Sequence, residues 1–259
     1  MRALTAVAVG VSLMPSVVAA QQPRDHVLEG GPTTVAWGYY WSEAPPVLRI
    51  ESGDIVDMST FLTSSPTRLE SAGIPPDEGE PALRAVYDQV TERGPPAGTS
   101  SPDLSNVEGA EPGDVLEVRI LSVEMPLAYG YNGCSGCIRD LCEGVGTRIV
   151  RRDRDRNTAE FLPGVTVPLA PFFGSMGVAP PPDADRWSSV PPWIHAGNID
   201  NKDMVAGTTL FIPAHVAGAL PPAIGSRAPA RQSCASRRRR TGEFSCISPP
   251  TTTSEVDLV

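Results

Sequence analysis

The chain has 259 residues, 41% of them hydrophobic, and no apolar run approaches the roughly 20 residues that a membrane-spanning helix needs. A net charge of −9 argues against a general nucleic-acid binder, and 28 Pro with 24 Gly argue against long helices while staying short of low complexity. The basic residues are 20 Arg and the single Lys202, with six of the Arg between Arg227 and Arg240 and no acid between Asp203 and Glu243.

Met1-Arg2 leads into the apolar run Ala3–Val11, and Val18 and Ala20 stand at the −3 and −1 positions of a signal-peptidase site. The residues that follow turn abruptly polar (Gln21, Gln22, Arg24, Asp25). Residues 1–20 are therefore expected to be a removed signal peptide, and the protein to be exported, periplasmic or extracellular. Export permits disulfides. The five Cys are Cys134, Cys137, Cys142, Cys234 and Cys246, an odd number that cannot all pair within one chain. Cys134-Ser-Gly-Cys137 has neither the second Cys pair nor the His pair of a structural zinc site. A local disulfide around Cys134–Cys142 is expected ahead of a metal, redox or catalytic thiol.

Strand patterns dominate. Val47–Glu51 alternates, and Ser52-Gly53-Asp54 turns into a strand over Ile55–Phe61. Thr63–Gly79 reads as a loop. Pro81 opens a helix whose Leu83, Val86, Tyr87 and Val90 make one apolar stripe, stopped by Gly94-Pro95-Pro96. A loop is expected over Gly94–Asn106. Pro112-Gly113-Asp114 repeats the turn and leads into Val115–Leu121, with Val118 and Ile120 on one face and Glu117 and Arg119 on the other. A short helix is expected over Gly136–Glu143, a solvated charged face over Arg148–Arg156, and an ordered loop system over Pro163–Pro192. Ala206-Gly207-Thr208 is a third echo of the turn, before Thr209–Pro213. The fold class is mainly β, with sandwich or barrel-like sheets and one or two short helices.

For chemistry, Gly174-Ser175-Met176-Gly177 is one residue short of a nucleophile elbow, which leaves Ser175 as a loop residue. Amidase classes that need a catalytic Lys have only Lys202 to use. The dense polar cluster is His195-Ala-Gly197-Asn198-Ile-Asp200-Asn201-Lys202-Asp203. Its side chains suit a divalent metal that activates water. They equally suit a hydrogen-bonded turn in which Asn and Asp cap their own backbone, and spacing alone favours the turn. Gly197 suits a sharp turn or a close approach of the backbone to a ligand. His26 and His215 stand singly and read as structural.

Four phrases then occur in order: Val35-Ala-Trp37-Gly38-Tyr39, Val107–Val115 (through Glu108-Gly109-Ala110), Pro171–Pro180, and His195–Asn201. Together they resemble the acetamidase/formamidase family, over roughly residues 25–220, and Tyr131–Gly136 resembles its exported branch. The resemblance implies a mostly β fold that hydrolyses short aliphatic amides to carboxylate and ammonia through a metal-activated water, the metal being zinc or calcium. It points to His195 and Asp200 as metal ligands, and to Asn198 on metal or substrate. Glu108 becomes an acid/base, against its plain reading as a turn carboxylate.

The chain also departs from the family. Gly94–Pro102 lacks the family's His, and Gly225–Cys234 lacks the family's Asp, His and acidic cluster. The organisation expected is a signal peptide over 1–20, an incomplete family-like domain over 21–220, and a divergent Arg/Pro/Ser-rich tail over 221–259. That tail has the composition of a GC-rich gene read out of frame from about codon 221. The alternative function is an inactive relative that binds a small molecule. A small amide is the expected partner, nucleic acid is not, and homo-oligomerisation stays open.

Overall fold

A computed structural model describes residues 23–94, 100–102, 105–133, 144–219 and 230–237, with backbone alone for 100–102 and 230–237. The expected leader, the helix over 136–143 and the disulfide around Cys134–Cys142 lie outside the described residues.

The three turn phrases are built alike. Gly53, Gly113 and Gly207 have φ of +95°, +93° and +89°, a conformation that suits glycine at the third position of a type II turn. Each turn closes on the residue after its glycine: Asp54 N–H donates to Glu51 O (3.1 Å), Asp114 N–H to Glu111 O (3.0 Å) and Thr208 N–H to Val205 O (3.1 Å). In the first two, the aspartate carboxylate also accepts the turn's opening N–H, at 3.0 Å from Glu51 and 2.8 Å from Glu111. Asp54 is buried, and accepts further from Arg24 N–H at 3.0 Å and His26 Nε2 at 2.7 Å. His26 is thus structural.

Before these turns and between them run β1 (Asp25–Leu28), β2 (Val35–Trp37), β3 (Tyr39–Trp41), β4 (Leu48–Ile50) and β5 (Ile55–Met58). Then come α1 (Pro66–Ser71), α2 (Pro81–Gln89), β6 (Ser100–Pro102), β7 (Ser105–Val107) and β8 (Val115–Val123). The remainder is β9 (Tyr129–Asn132), β10 (Arg148–Asp153), β11 (Thr158–Leu162), β12 (Val165–Pro168), β13 (Met176–Gly177), β14 (Arg186–Ser188), β15 (Ala196–Gly197), β16 (Thr209–Pro213) and β17 (Ala230–Arg237). The fold is mainly β. One sheet has the order β1-β5-β17-β8-β16 and another β12-β11-β10-β9, with four two-stranded pairs beside them. Strand β17 lies in the expected tail, so the sheet continues past the boundary at residue 220.

The larger core gathers Ile50, Val56, Met58, Leu116, Val118 and Ile120 from the strands with Phe173, Met176 and Val178 from the loop system over 163–192. Those side chains fix the segment against the core, and it is not all loop, since it carries the short strands β12, β13 and β14. A second core packs Leu69, Leu83 and Val86 of the helices against Val35, Phe61 and Tyr129. Among the described residues no helix is long and apolar enough to cross a membrane.

Several local expectations need correction. The expected loop over 94–106 carries β6 and β7, which pair with β2 and β4. Helix α1 forms inside the expected loop over 63–79. Ser65 caps it by accepting Arg68 N–H at 3.1 Å, and Pro66 takes the first turn, where its missing N–H costs nothing. The helix from Pro81 ends at Gln89, short of Gly94, because Arg93 folds back and donates to the free carbonyls of Val90 (2.8 Å) and Tyr87. Arg148–Asp153 is a paired strand of a hairpin rather than only a charged face. Glu117, expected to face solvent, is buried, and its carboxylate accepts from Arg119 Nε at 2.8 Å. Ser65→Ala is expected to cost about 1 kcal/mol, read as a lower urea midpoint. An unchanged midpoint would show that the cap contributes nothing.

Candidate functional site

Two glycine-bearing strands bring the polar loop to the core. Met176 and Gly177 of β13 pair with Gly197 and Ala196 of β15. The pair approaches closely because neither glycine carries a side chain. A Cβ on Gly177 would lie 2.6 Å from His195 O and 2.9 Å from Gly197 N. Gly197 has φ +88°, and a Cβ there would lie 2.9 Å from His195 Nε2. The sharp turn expected at Gly197 is realised, and the close neighbour there is the chain's own His195 ring. Three backbone bonds clasp the segments: Val178 N–H to His195 O (3.0 Å), Asp200 N–H to Gly174 O (2.7 Å) and Phe173 N–H to Met204 O (2.9 Å). Ala196 (φ +67°) and Asp200 (φ +46°) are held in the left-handed region, which costs energy for non-glycine residues.

The expected site residues fare differently. Asn198 is fully engaged: its Oδ1 accepts from Ser175 Oγ at 2.8 Å and its Nδ2 donates to Val190 O at 3.0 Å. Ser175, itself buried, is a brace for this loop. Asp200 is exposed, and its Oδ1 lies where a Cβ on Gly174 would come within 2.8 Å. Asn201–Met204 is the self-capping turn, with Asp203 N–H donating to Asn201 Oδ1 (3.0 Å) and Met204 N–H to Asn201 O (3.1 Å). Glu108 is exposed in the turn Val107–Ala110, where its N–H donates to Ile50 O at 2.8 Å. Among the described residues it makes no hydrogen bond or ion pair to the 195–203 loop.

His195 is completely buried, in aromatic surroundings the sequence left unread. Its ring centroid lies 4.4 Å from Tyr40, 6.1 Å from Trp193 and 6.4 Å from Trp187, and the two indoles stack at 4.1 Å. Among the described residues neither imidazole nitrogen has a hydrogen-bond partner, nor does Tyr40 Oη or Trp187 Nε1. Burial pushes the His195 pKa down to about 4, with His215 adding a smaller repulsion, so the ring is neutral at pH 7. The same burial raises the Tyr40 phenol well above its ordinary value. The only foreshadowing in the sequence was the aromatic density of Trp37–Trp41.

The donor set does not fit a metal ion. Among the described residues no three of His, Cys, Asp and Glu converge to hold one, whereas zinc takes at least three protein ligands and calcium six or more oxygens. Both His195 nitrogens are sealed from solvent, and Asp200 is left as a lone open carboxylate.

A cavity of about 190 Å³ lies beside this cluster, walled by Trp37, Tyr39, Tyr40 and Trp41, with Arg186 and Glu92 as its charged groups.

Residues 101–189 match the sequence model of the Acetamidase/Formamidase family. No curated protein matches the chain. The fold resembles a recombinant predicted acetamidase/formamidase from Thermoanaerobacter tengcongensis, with 20% identity, TM-score 0.65, 83% of this chain and 70% of that one covered. It also resembles an acetamidase from Bacillus halodurans, with 23% identity, TM-score 0.60, and 83% and 71% covered. A gamma lactamase from Delftia acidovorans is similar at 18% identity, TM-score 0.62, and 82% and 68% covered. Residues 101–189 thus resemble the acetamidase/formamidase family in sequence, and the described chain shares the fold of these structures.

Proposed function

We propose that the protein hydrolyses the C–N bond of small amides, formamide and acetamide among them, to a carboxylate and ammonia. The observation that carries this reading is the clasp between the family-matched segment, which supplies Gly174 and Ser175, and the loop that ends on the open carboxylate of Asp200. The similar structures are named for linear-amide and lactam hydrolysis, and the amide C–N bond is what those substrates share.

In this reading Asp200 is the catalytic residue. Its carboxylate takes a proton from water as the water oxygen attacks the amide carbonyl carbon, and returns it to nitrogen as the C–N bond breaks. Asn198 and Ser175 are positioning residues, since the Ser175–Asn198–Val190 chain of hydrogen bonds fixes the loop that carries Asp200. His195 lends a neutral, apolar floor. No step is routed through a metal.

The test is ammonia release from formamide and acetamide by the purified, folded chain. Asp200→Asn is expected to lower the rate by at least about a hundredfold, the scale of a lost general base, with an unchanged circular dichroism spectrum. Folded protein that releases no ammonia, or an equally active Asp200→Asn variant, overturns the reading. That no metal-ligand set converges among the described residues favours one alternative, an inactive relative that binds amides without turnover. Saturable acetamide binding without ammonia release is its signature.

Export belongs to the same proposal, supported by the leader-like residues 1–20. A secreted product whose N-terminus is Gln21 is the expected result.

A further inference from the structure

We infer that the aromatic cavity beside Tyr40 binds a small carboxylate bearing a flat apolar group, with the apolar part against the aromatic wall and the anion on Arg186. Four aromatic residues, Trp37, Tyr39, Tyr40 and Trp41, line a space of about 190 Å³. An apolar cavity of about 150 Å³ holds a benzene molecule, so the space exceeds what formate or acetate would fill.

Its charge is equally specific. The Arg186 guanidinium lies 4.3 Å from the Trp41 ring centroid and 5.9 Å from that of Tyr39. Stacking of this kind orients the guanidinium plane and leaves its N–H edge for a carboxylate. Glu92 now occupies that edge. The Glu92 side chain is 69% exposed, and an exposed pair of this kind adds little stability. An incoming carboxylate that also buries an aromatic or branched group against the wall has an advantage that Glu92 lacks.

Tyr40 joins this cavity to the loop described above, because the same ring lines the cavity and packs on His195 at 4.4 Å. A carboxylate is also what amide hydrolysis releases. Identification of the ligand as the acyl product, or of its amide as the substrate class, rests on the hydrolase reading. Binding itself does not.

The experiment is a titration of the full chain's tryptophan fluorescence, which reports on Trp37 and Trp41 in the wall, with phenylacetate, acetate and phenylacetamide. Phenylacetate is expected to bind saturably, and acetate at least tenfold more weakly. Arg186→Gln should weaken phenylacetate about ten- to a hundredfold, the scale of a charge-assisted hydrogen-bonded pair. Phenylacetamide binding by the same variant should change less than threefold, which reports that the cavity is intact. Glu92→Gln removes the competing carboxylate and should tighten phenylacetate by several-fold. Absence of saturable phenylacetate binding, or affinity that ignores Arg186, overturns the proposal. Ammonia release from the same preparations is read separately: binding without release leaves this site standing and defeats the hydrolase reading, and release without binding does the reverse.

Discussion

Acidification from pH 7 to pH 4 is expected to remove about 3 kcal/mol of folding stability through His195 alone. The ring is completely buried among Tyr40, Trp187 and Trp193, with no partner for either nitrogen among the described residues. Its folded pKa is about 4 against 6.5 for the free side chain. The unfolded chain therefore takes up the proton first. The contribution is intact above pH 6.5 and is lost as the pH falls from there to about 4, at roughly 1.4 kcal/mol per pH unit. Against a typical total of about 5–15 kcal/mol, that is a large share.

Urea denaturation at pH 7.0, 5.5 and 4.5 measures this. His195→Phe keeps the aromatic packing and removes the titrating group, so its stability should stay within about 1 kcal/mol of the parent at pH 7 and lose this part of the pH dependence. If the variant falls as steeply with acid as the parent, another group is responsible.

Gly177→Ala is expected to cost about 3 kcal/mol and to abolish whatever activity the loop supports. The new methyl carbon would lie 2.6 Å from His195 O, 2.9 Å from Gly197 N and 3.0 Å from Tyr40 Cε1. Two of these three neighbours are backbone, which cannot swing aside as a flexible side chain does. Strands β13 and β15 must part, and Asp200, tied by its N–H to Gly174 O, is carried with them. The matched control is Gly130→Ala, where a Cβ meets nothing within 4 Å; it should stay within about 0.5 kcal/mol. Equal urea midpoints for the two variants would sink the steric argument.

What the sequence made legible was local. Gly53, Gly113 and Gly207 announced their turns because a turn that needs positive φ selects glycine within four residues. The Asn201–Asp203 cap was legible because an Asn side chain accepts a backbone N–H two residues on. Helix α1 was missed although Ser65-Pro66 marks its start, because a helix of six residues carries too short an apolar stripe to stand out from a Pro-rich loop. The burial of Glu117 was not legible because alternation along one strand says which residues share a face, and only tertiary packing decides whether that face is covered. The His195 surroundings were illegible for that reason too. Tyr40 and Trp187 meet His195 only after β3 and β14 have paired, and no spacing in the sequence encodes that meeting.

The strand order of the larger sheet also bears on how the molecule comes to be folded. Strand β8 pairs with β16 and β17, and β17 also pairs with β5. None of these partners is a sequence neighbour of β8. The roughly hundred residues between the end of β8 and the start of β17 take on the order of 5–20 s to synthesise. Through that interval the apolar faces of β5 and β8 wait without their middle strand. Such distant pairing makes for slow closure, so the nascent chain carries its own period of vulnerability to aggregation.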